Sequence, residues 1–203
     1  MSESGFPDPS GLDMTPPPQL EAIEAATTTL GFNMASVRET GALLRALAAA
    51  KPGANVLELG TGTGIATCWL LDGLDQDGHL VTVEIDPVVQ QVAKIDLGYD
   101  PRINFVEEDA VSFLHHAPRG TFDLIFADSI PGKFSELDDA LALLAEDGVY
   151  IVDDLLPQDN WPEGHAPKVP KFIDNIKSRA GLTVEYWEWS SGILLARKTG
   201  DAG

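Results

Sequence analysis

From Asn55 onward the chain alternates between short apolar runs and longer stretches with apolar residues at helical spacing. The short runs are Asn55–Leu59, His79–Ile85, Arg102–Val106, Phe122–Ala127 and Val149–Val152, and each predicts a strand. Between them Gly64–Leu71, Pro87–Leu97, Ala110–His116 and Ser135–Leu144 predict helices. Pro87 stands at a first helical position, where its missing N–H removes no bond. A further helix is expected over Val169–Arg179, followed by strands over Thr183–Trp189 and Ile193–Arg197. Short strands separated by helices mean a parallel sheet covered on both faces. Only Ser190-Ser191-Gly192 separates the last two strands, which is hairpin length, so the final strand runs antiparallel. The expected fold is α/β, a doubly wound, mostly parallel seven-stranded sheet closed by a C-terminal antiparallel hairpin.

Two helices are predicted ahead of the sheet. Gln19–Leu30 places Leu20, Ile23, Ala26 and Leu30 on one side and stops at Gly31, and Val37–Ala50 repeats the pattern with Leu43, Leu44 and Leu47. Residues 1–18 carry Gly5, Pro7, Pro9, Gly11 and Pro16-Pro17-Pro18, a composition that reads as a flexible arm, and residues 19–203 read as a single domain. The 203 residues are 44% apolar, enough for one such core, with no run long enough to span a bilayer. The first residues lack a basic start and an apolar stretch, so no signal peptide is expected, and a cytoplasmic protein is. Thirteen basic against 32 acidic residues leave a net charge of −19, which argues against nucleic-acid and membrane partners. The single cysteine, Cys68, reads as a small buried hydrophobe.

In a doubly wound sheet, ligands bind at the carboxyl ends of the strands. After the first strand stands Gly60-Thr61-Gly62-Thr63-Gly64, whose glycines let the chain turn and a ligand approach the backbone. A phosphate-binding loop would continue with Lys-Ser or Lys-Thr, whereas Ile65-Ala66 follows. A dinucleotide fingerprint would have Gly or Ala at position 65. Glu58, two residues before the first glycine, would repel the phosphates of NAD and attract the ammonium or sulfonium of S-adenosylmethionine; the alternative is a solvent-facing charge at a strand end. After the second strand comes Glu84-Ile85-Asp86, where Glu84 suits paired hydrogen bonds to ribose hydroxyls. After the third comes Glu107-Glu108-Asp109-Ala110. Asp109 can accept from an adenine amino group with Ala110 offering its amide, or it can cap the following helix, or do both.

These segments, taken in order with Phe126-Ala127-Asp128-Ser129 and Val152-Asp153-Asp154 after the fourth and fifth strands, resemble the class I S-adenosylmethionine-dependent methyltransferases. The nearest likeness is to the catechol and caffeoyl-CoA type O-methyltransferases, over roughly residues 32 to 198. The resemblance implies a Rossmann-like methyltransferase fold, S-adenosylmethionine as cofactor and O-methylation of a small-molecule acceptor. It implies that Asn33-Met34 lies over the cofactor, and that the region around Gln19–Leu30 forms a homodimer. Alternatives left open are a non-catalytic S-adenosylmethionine-binding module and a tRNA methyltransferase of the same fold.

The resemblance also implies a magnesium or calcium ion, with Asp128, Asp153 and Asp154 at the matching positions. Asp154 replaces the family's usual Asn, however. The Asp-Ala-Asp-Lys run of the family is here Asp128-Ser129-Ile130-Pro131-Gly132-Lys133, so the lysine proposed there as base stands two positions further on. The competing reading has Asp128 lining the cofactor pocket, Asp153 and Asp154 capping a loop, and Lys133 solvated at a helix start. The long loop from Asp154 to His165 reads as functional. Within it Trp161 is expected to shape an acceptor pocket or pack on the next helix, and His165 is a candidate general base. The expected catalytic set is therefore Asp128, Lys133 and His165.

Overall fold

A computed structural model describes residues 5–200. Seven strands form one sheet: β1 (Asn55–Leu59), β2 (His79–Glu84), β3 (Ile103–Glu107), β4 (Phe122–Ala127), β5 (Leu144–Val152), β6 (Leu182–Trp187) and β7 (Ile193–Lys198). Their spatial order is β3-β2-β1-β4-β5-β7-β6, with β7 antiparallel to both its neighbours and every other pairing parallel. The expected mostly parallel sheet with its closing hairpin is what forms. Strand order reverses between β1 and β4, so the crevice at their carboxyl ends is where a ligand should sit.

The apolar runs are continuous because both faces are covered. Along the central strands alternate residues enter opposite cores. Val56, Leu124, Phe126 and Ile151 pack under α1 (Leu20–Leu30), α2 (Arg38–Ala49), α3 (Ile65–Gly73) and α4 (Pro87–Leu97). Leu57, Ile125, Ala127 and Tyr150 pack against α5 (Ala110–His116), α7 (Leu137–Leu143) and α8 (Val169–Lys177) on the other face. Cys68 lies in the first core with its thiol pushed up to about 12 by burial, a packing residue as expected.

Three local expectations need correction. Strand β5 begins at Leu144, five residues before Val149, because Leu144 pairs with Phe122 across an irregularity and Gly120 and Thr121 tie to the end of α7. Ile130–Lys133 (α6) is a distorted turn with non-helical Pro131 and Gly132, so α7 starts only at Leu137. The N-terminal segment also packs where composition suggested it would not. Phe6 is fully buried, edge-on to Trp187 and covered by the Arg197 guanidinium, while Arg45 holds the carbonyls of Asp13 and Thr15. One aromatic finding an open core edge outweighs the low apolar content around it. Residues 1–4 of the expected arm lie outside the described residues.

Candidate functional site

At the carboxyl ends of β1, β2, β3 and β4 a cavity of about 550 Å³ opens, running from Asp109 and Glu84 past the glycine loop to Asp128, Lys133 and His165. That volume suits a nucleoside-sized ligand together with a small second molecule.

The end near β2 is built almost wholly from backbone. Gly60 N and Thr61 N both donate to Val83 O, at 2.9 and 3.1 Å, which carries the loop sideways over β2. Gly60 adopts φ +100, and a Cβ there would meet Asp128 O at 2.8 Å. Gly64 needs its missing Cβ for a different reason: it abuts Ala93 of α4 and is not a cavity residue. Two of the three glycines therefore serve close packing, and Gly62 is the one whose amide reaches Glu84, at 2.9 Å from Oε2. The other Glu84 oxygen accepts from Ile85 N and Asp86 N at 3.0 and 3.1 Å. Both oxygens are thus oriented by main-chain donors, with lone pairs left at the cavity wall. Asp109 accepts from Val111 N and Ser112 N at the start of α5 and also lines the cavity with Ala110.

Glu58 corrects both sequence readings. It faces neither a ligand nor solvent but is fully buried beneath the loop, its Oε2 accepting from Thr67 and Thr82 hydroxyls at 2.6 and 2.5 Å. Burial pushes its carboxyl up to about 8, so it is protonated at neutral pH. A neutral acid cannot attract a sulfonium; its role is to brace β1, β2 and α3 under the loop.

The end near β5 is built from side chains far apart in sequence. Asp128 is part-buried, with Ser36 Oγ 3.3 Å from Oδ2 and Lys133 Nζ 3.7 Å from Oδ1. Desolvation holds its carboxyl above the usual carboxylate range, opposed by the Lys133 ammonium. Lys133 is not a solvated helix-start residue: its side chain is 4% exposed. His165 stacks on Trp161 with centroids 4.4 Å apart and meets the edge of Phe134 at 4.8 Å. Its Nε2 lies 3.1 Å from the Asp154 carbonyl. A carbonyl only accepts, so Nε2 carries the hydrogen and Nδ1 keeps its lone pair. Desolvation lowers the imidazole's affinity for a proton, which keeps the ring neutral.

The three acids expected to bind a metal do not form a ligand set. Asp153 is buried and spends Oδ1 on the Ser191 hydroxyl and on Asp154 N, part of a network that reaches Thr40 on α2. Burial beside Asp128 raises its carboxyl. Asp154, in a left-handed conformation at φ 68, lines the cavity with Asp128, whereas Asp153 does not. Among the described residues, the acids and histidine whose ligand atoms do converge are His115, Glu136 and Asp139, none of which lines this cavity. The residues at β4 and β5 do not fit a divalent ion.

Comparison with known proteins agrees with this layout. Residues 57–155 match a family model described as a methyltransferase domain. That segment is similar to a methyltransferase domain and spans just under half of the chain. A protein named "Putative O-methyltransferase" from Mycobacterium sp. (strain KMS) is 34% identical over 140 residues, covering 65% of this chain and 64% of that one. The chain thus spans between about half and two thirds of the length of such curated relatives. Cofactor-bound Rv0187 from MTB is 26% identical with a TM-score of 0.77, covering 89% of each chain. The O-methyltransferase TomG from Streptomyces achromogenes, in complex with SAM, shares the fold at 24% identity and a TM-score of 0.77, covering 90% of each chain.

The cavity collects most of the residues expected from sequence: Met34, Gly60, Thr61, Gly62, Glu84, Ile85, Asp109, Ala110, Asp128, Lys133, Asp154 and His165. Glu58, Gly64 and Asp153 lie outside it. Sequence reasoning missed Phe32, Ser36, Phe134 and Lys168, which line the same cavity. None stands in a recognisable motif, although Ser36 follows the flagged Asn33-Met34 and Phe134 follows Lys133. No helix among the described residues is long and apolar enough to cross a membrane.

Proposed function

We propose that the chain is an S-adenosylmethionine-dependent O-methyltransferase acting on a small-molecule acceptor. The observation that carries this reading is the Glu84 carboxylate, held by three main-chain amides at the wall of a cavity that continues to an acid, an ammonium and a neutral imidazole. Glu84 accepts from both ribose hydroxyls, and Ile85 lies against the sugar and base. Asp109 receives the adenine amino group on the oxygen not used for capping α5, and Ala110 N faces the ring. The loop at Gly60, Thr61 and Gly62 and the exposed Met34 enclose the methionine part.

Methyl transfer requires an in-line approach of acceptor oxygen to sulfonium methyl, so positioning is the main contribution. The acceptor oxygen gives up its proton to His165 Nδ1. The O–CH₃ bond forms as the S–CH₃ bond breaks, and that bond's electron pair stays on sulfur as a neutral thioether. Phe134, Pro131 and Pro162 supply the apolar walls that hold an aromatic acceptor. Homodimer formation through α1 is part of the same reading and is checked by sedimentation velocity.

Calorimetric titration with S-adenosylhomocysteine tests the cofactor assignment: saturable one-to-one binding is expected, and a flat titration would remove it. Methyl transfer to catechols and hydroxycinnamic acids, followed by thioether release, tests the activity.

A further inference from the structure

The departures at the acceptor end converge on one side chain. The turn through Pro131 and Gly132 carries Lys133 inward, and it is locked from both sides. Gly132 N donates to Ser135 O at 2.8 Å, and the buried Tyr150 hydroxyl donates to Gly132 O at 2.7 Å. Gly132 has φ +89, and a Cβ there would meet Leu59 Cδ1 and Tyr150 Oη at 2.9 Å, so the turn requires glycine. The outcome is a buried ammonium 3.7 Å from Asp128 Oδ1 and 5.7 Å from the centre of the Phe134 ring. The acid that would complete a metal site, Asp153, is turned into the Ser191 and Thr40 hydroxyl network instead.

We propose that the Lys133 ammonium takes the place of a divalent cation in this active site, so that methyl transfer here is metal-independent. A divalent ion bound at Asp128 would stand within contact range of this ammonium, and like charges in a desolvated pocket repel strongly. A fixed cation at the same place does what an ion would do for the acceptor. It faces the acceptor oxygen as its proton passes to His165 Nδ1 and stabilises the developing negative charge until the oxygen captures the methyl group; the ammonium itself is unchanged, and the positive charge lost is that of the sulfonium. Asp128 orients the ammonium, and Asp154 adds negative charge to the same pocket. This inference rests on the methyltransferase reading above, and its test is separable from it.

Manganese(II) chloride is titrated into the full chain calorimetrically with S-adenosylhomocysteine present. No saturable binding is expected in the millimolar range. One-to-one saturable binding that disappears in Asp128→Asn would overturn the proposal. In the acceptor assay, excess EDTA should leave the rate unchanged, and loss of activity that magnesium restores would also overturn it. Lys133→Met should lower kcat by roughly 100-fold, as for removal of one oxyanion donor, with affinity for S-adenosylhomocysteine within about twofold as the control for folding. Lys133→Arg should recover part of the rate, and a Lys133→Met enzyme with wild-type kcat would count against the idea. Absence of S-adenosylhomocysteine binding would sink the functional assignment instead, leaving the manganese titration to report on Lys133 alone.

Discussion

The two ends of the cavity are built differently. At the end formed by β1, β2 and β3, the contacts that hold Glu84 and turn the glycine loop are main-chain groups close to the strand ends, with side chains only bracing Thr61 from below. Gly62 N, Ile85 N and Asp86 N hold Glu84, and Val83 O holds Gly60 and Thr61. At the end formed by β4, β5 and the loop to His165, the contacts are side chains brought from afar. Ser36 reaches Asp128 across 92 residues, and Asn160 Nδ2 donates to Asn33 O across 127. A backbone-built end tolerates sequence change and binds a constant ligand. A side-chain-built end is free to change with the acceptor.

That contrast can be broken by mutation. The largest effect is expected for His165→Gln, which removes the proton acceptor and should lower kcat roughly 100-fold or more while leaving S-adenosylhomocysteine affinity unchanged. The wild-type rate should also be flat above about pH 6.5, because burial holds the imidazole below its ordinary value and it is already neutral there. A limb that rises through the alkaline range would point to a different base. Glu84→Ala should do the opposite, weakening S-adenosylhomocysteine by roughly 100-fold through lost charged hydrogen bonds with an intact near-ultraviolet circular dichroism spectrum. If His165→Gln weakened the cofactor as much as Glu84→Ala, the two ends would not be separable.

Glu58 sharpens the comparison through stability. Its carboxyl is ordinarily near 4.5 and is raised to about 8 in the fold. Between those values the unfolded chain has released the proton and the folded one retains it, so stability from this group falls as pH rises and is lost through the folded value. Glu58→Gln should flatten that part of the melting temperature against pH and stabilise the protein above about pH 8. An unchanged slope would mean the acid is not the neutral brace beneath the loop. The smallest effect is expected for Asn160→Ala. It loses one exposed tie between the long loop and Asn33, which should raise the acceptor KM by about fivefold, the value of one hydrogen bond, without moving kcat.

The same contrast explains what could be read without coordinates. The sheet was legible because alternating strands buried on both faces leave runs such as Phe122–Ala127, which only a covered parallel sheet tolerates. The glycine loop, Glu84 and Asp109 were legible because each follows its strand directly. Phe6 was not, since one aromatic among prolines carries no periodicity and its burial depends on Trp187 and Arg197, about 180 residues away. Glu58 was misread because its position at a strand end is the same whether its side chain turns up to the cavity or down to Thr67 and Thr82.

By itself, then, the sequence determined the layered sheet, its closing hairpin and the placing of Glu84 and Asp109 at strand ends, because local periodicity and strand-end position are properties of neighbouring residues. Only the tertiary structure decided that Glu58 is a neutral brace, that Asp153 belongs to Ser191, and that Lys133 is buried against Asp128. Each of those outcomes depends on which distant group lies nearest and how much water is excluded around it, and both are set by the packing of the whole fold.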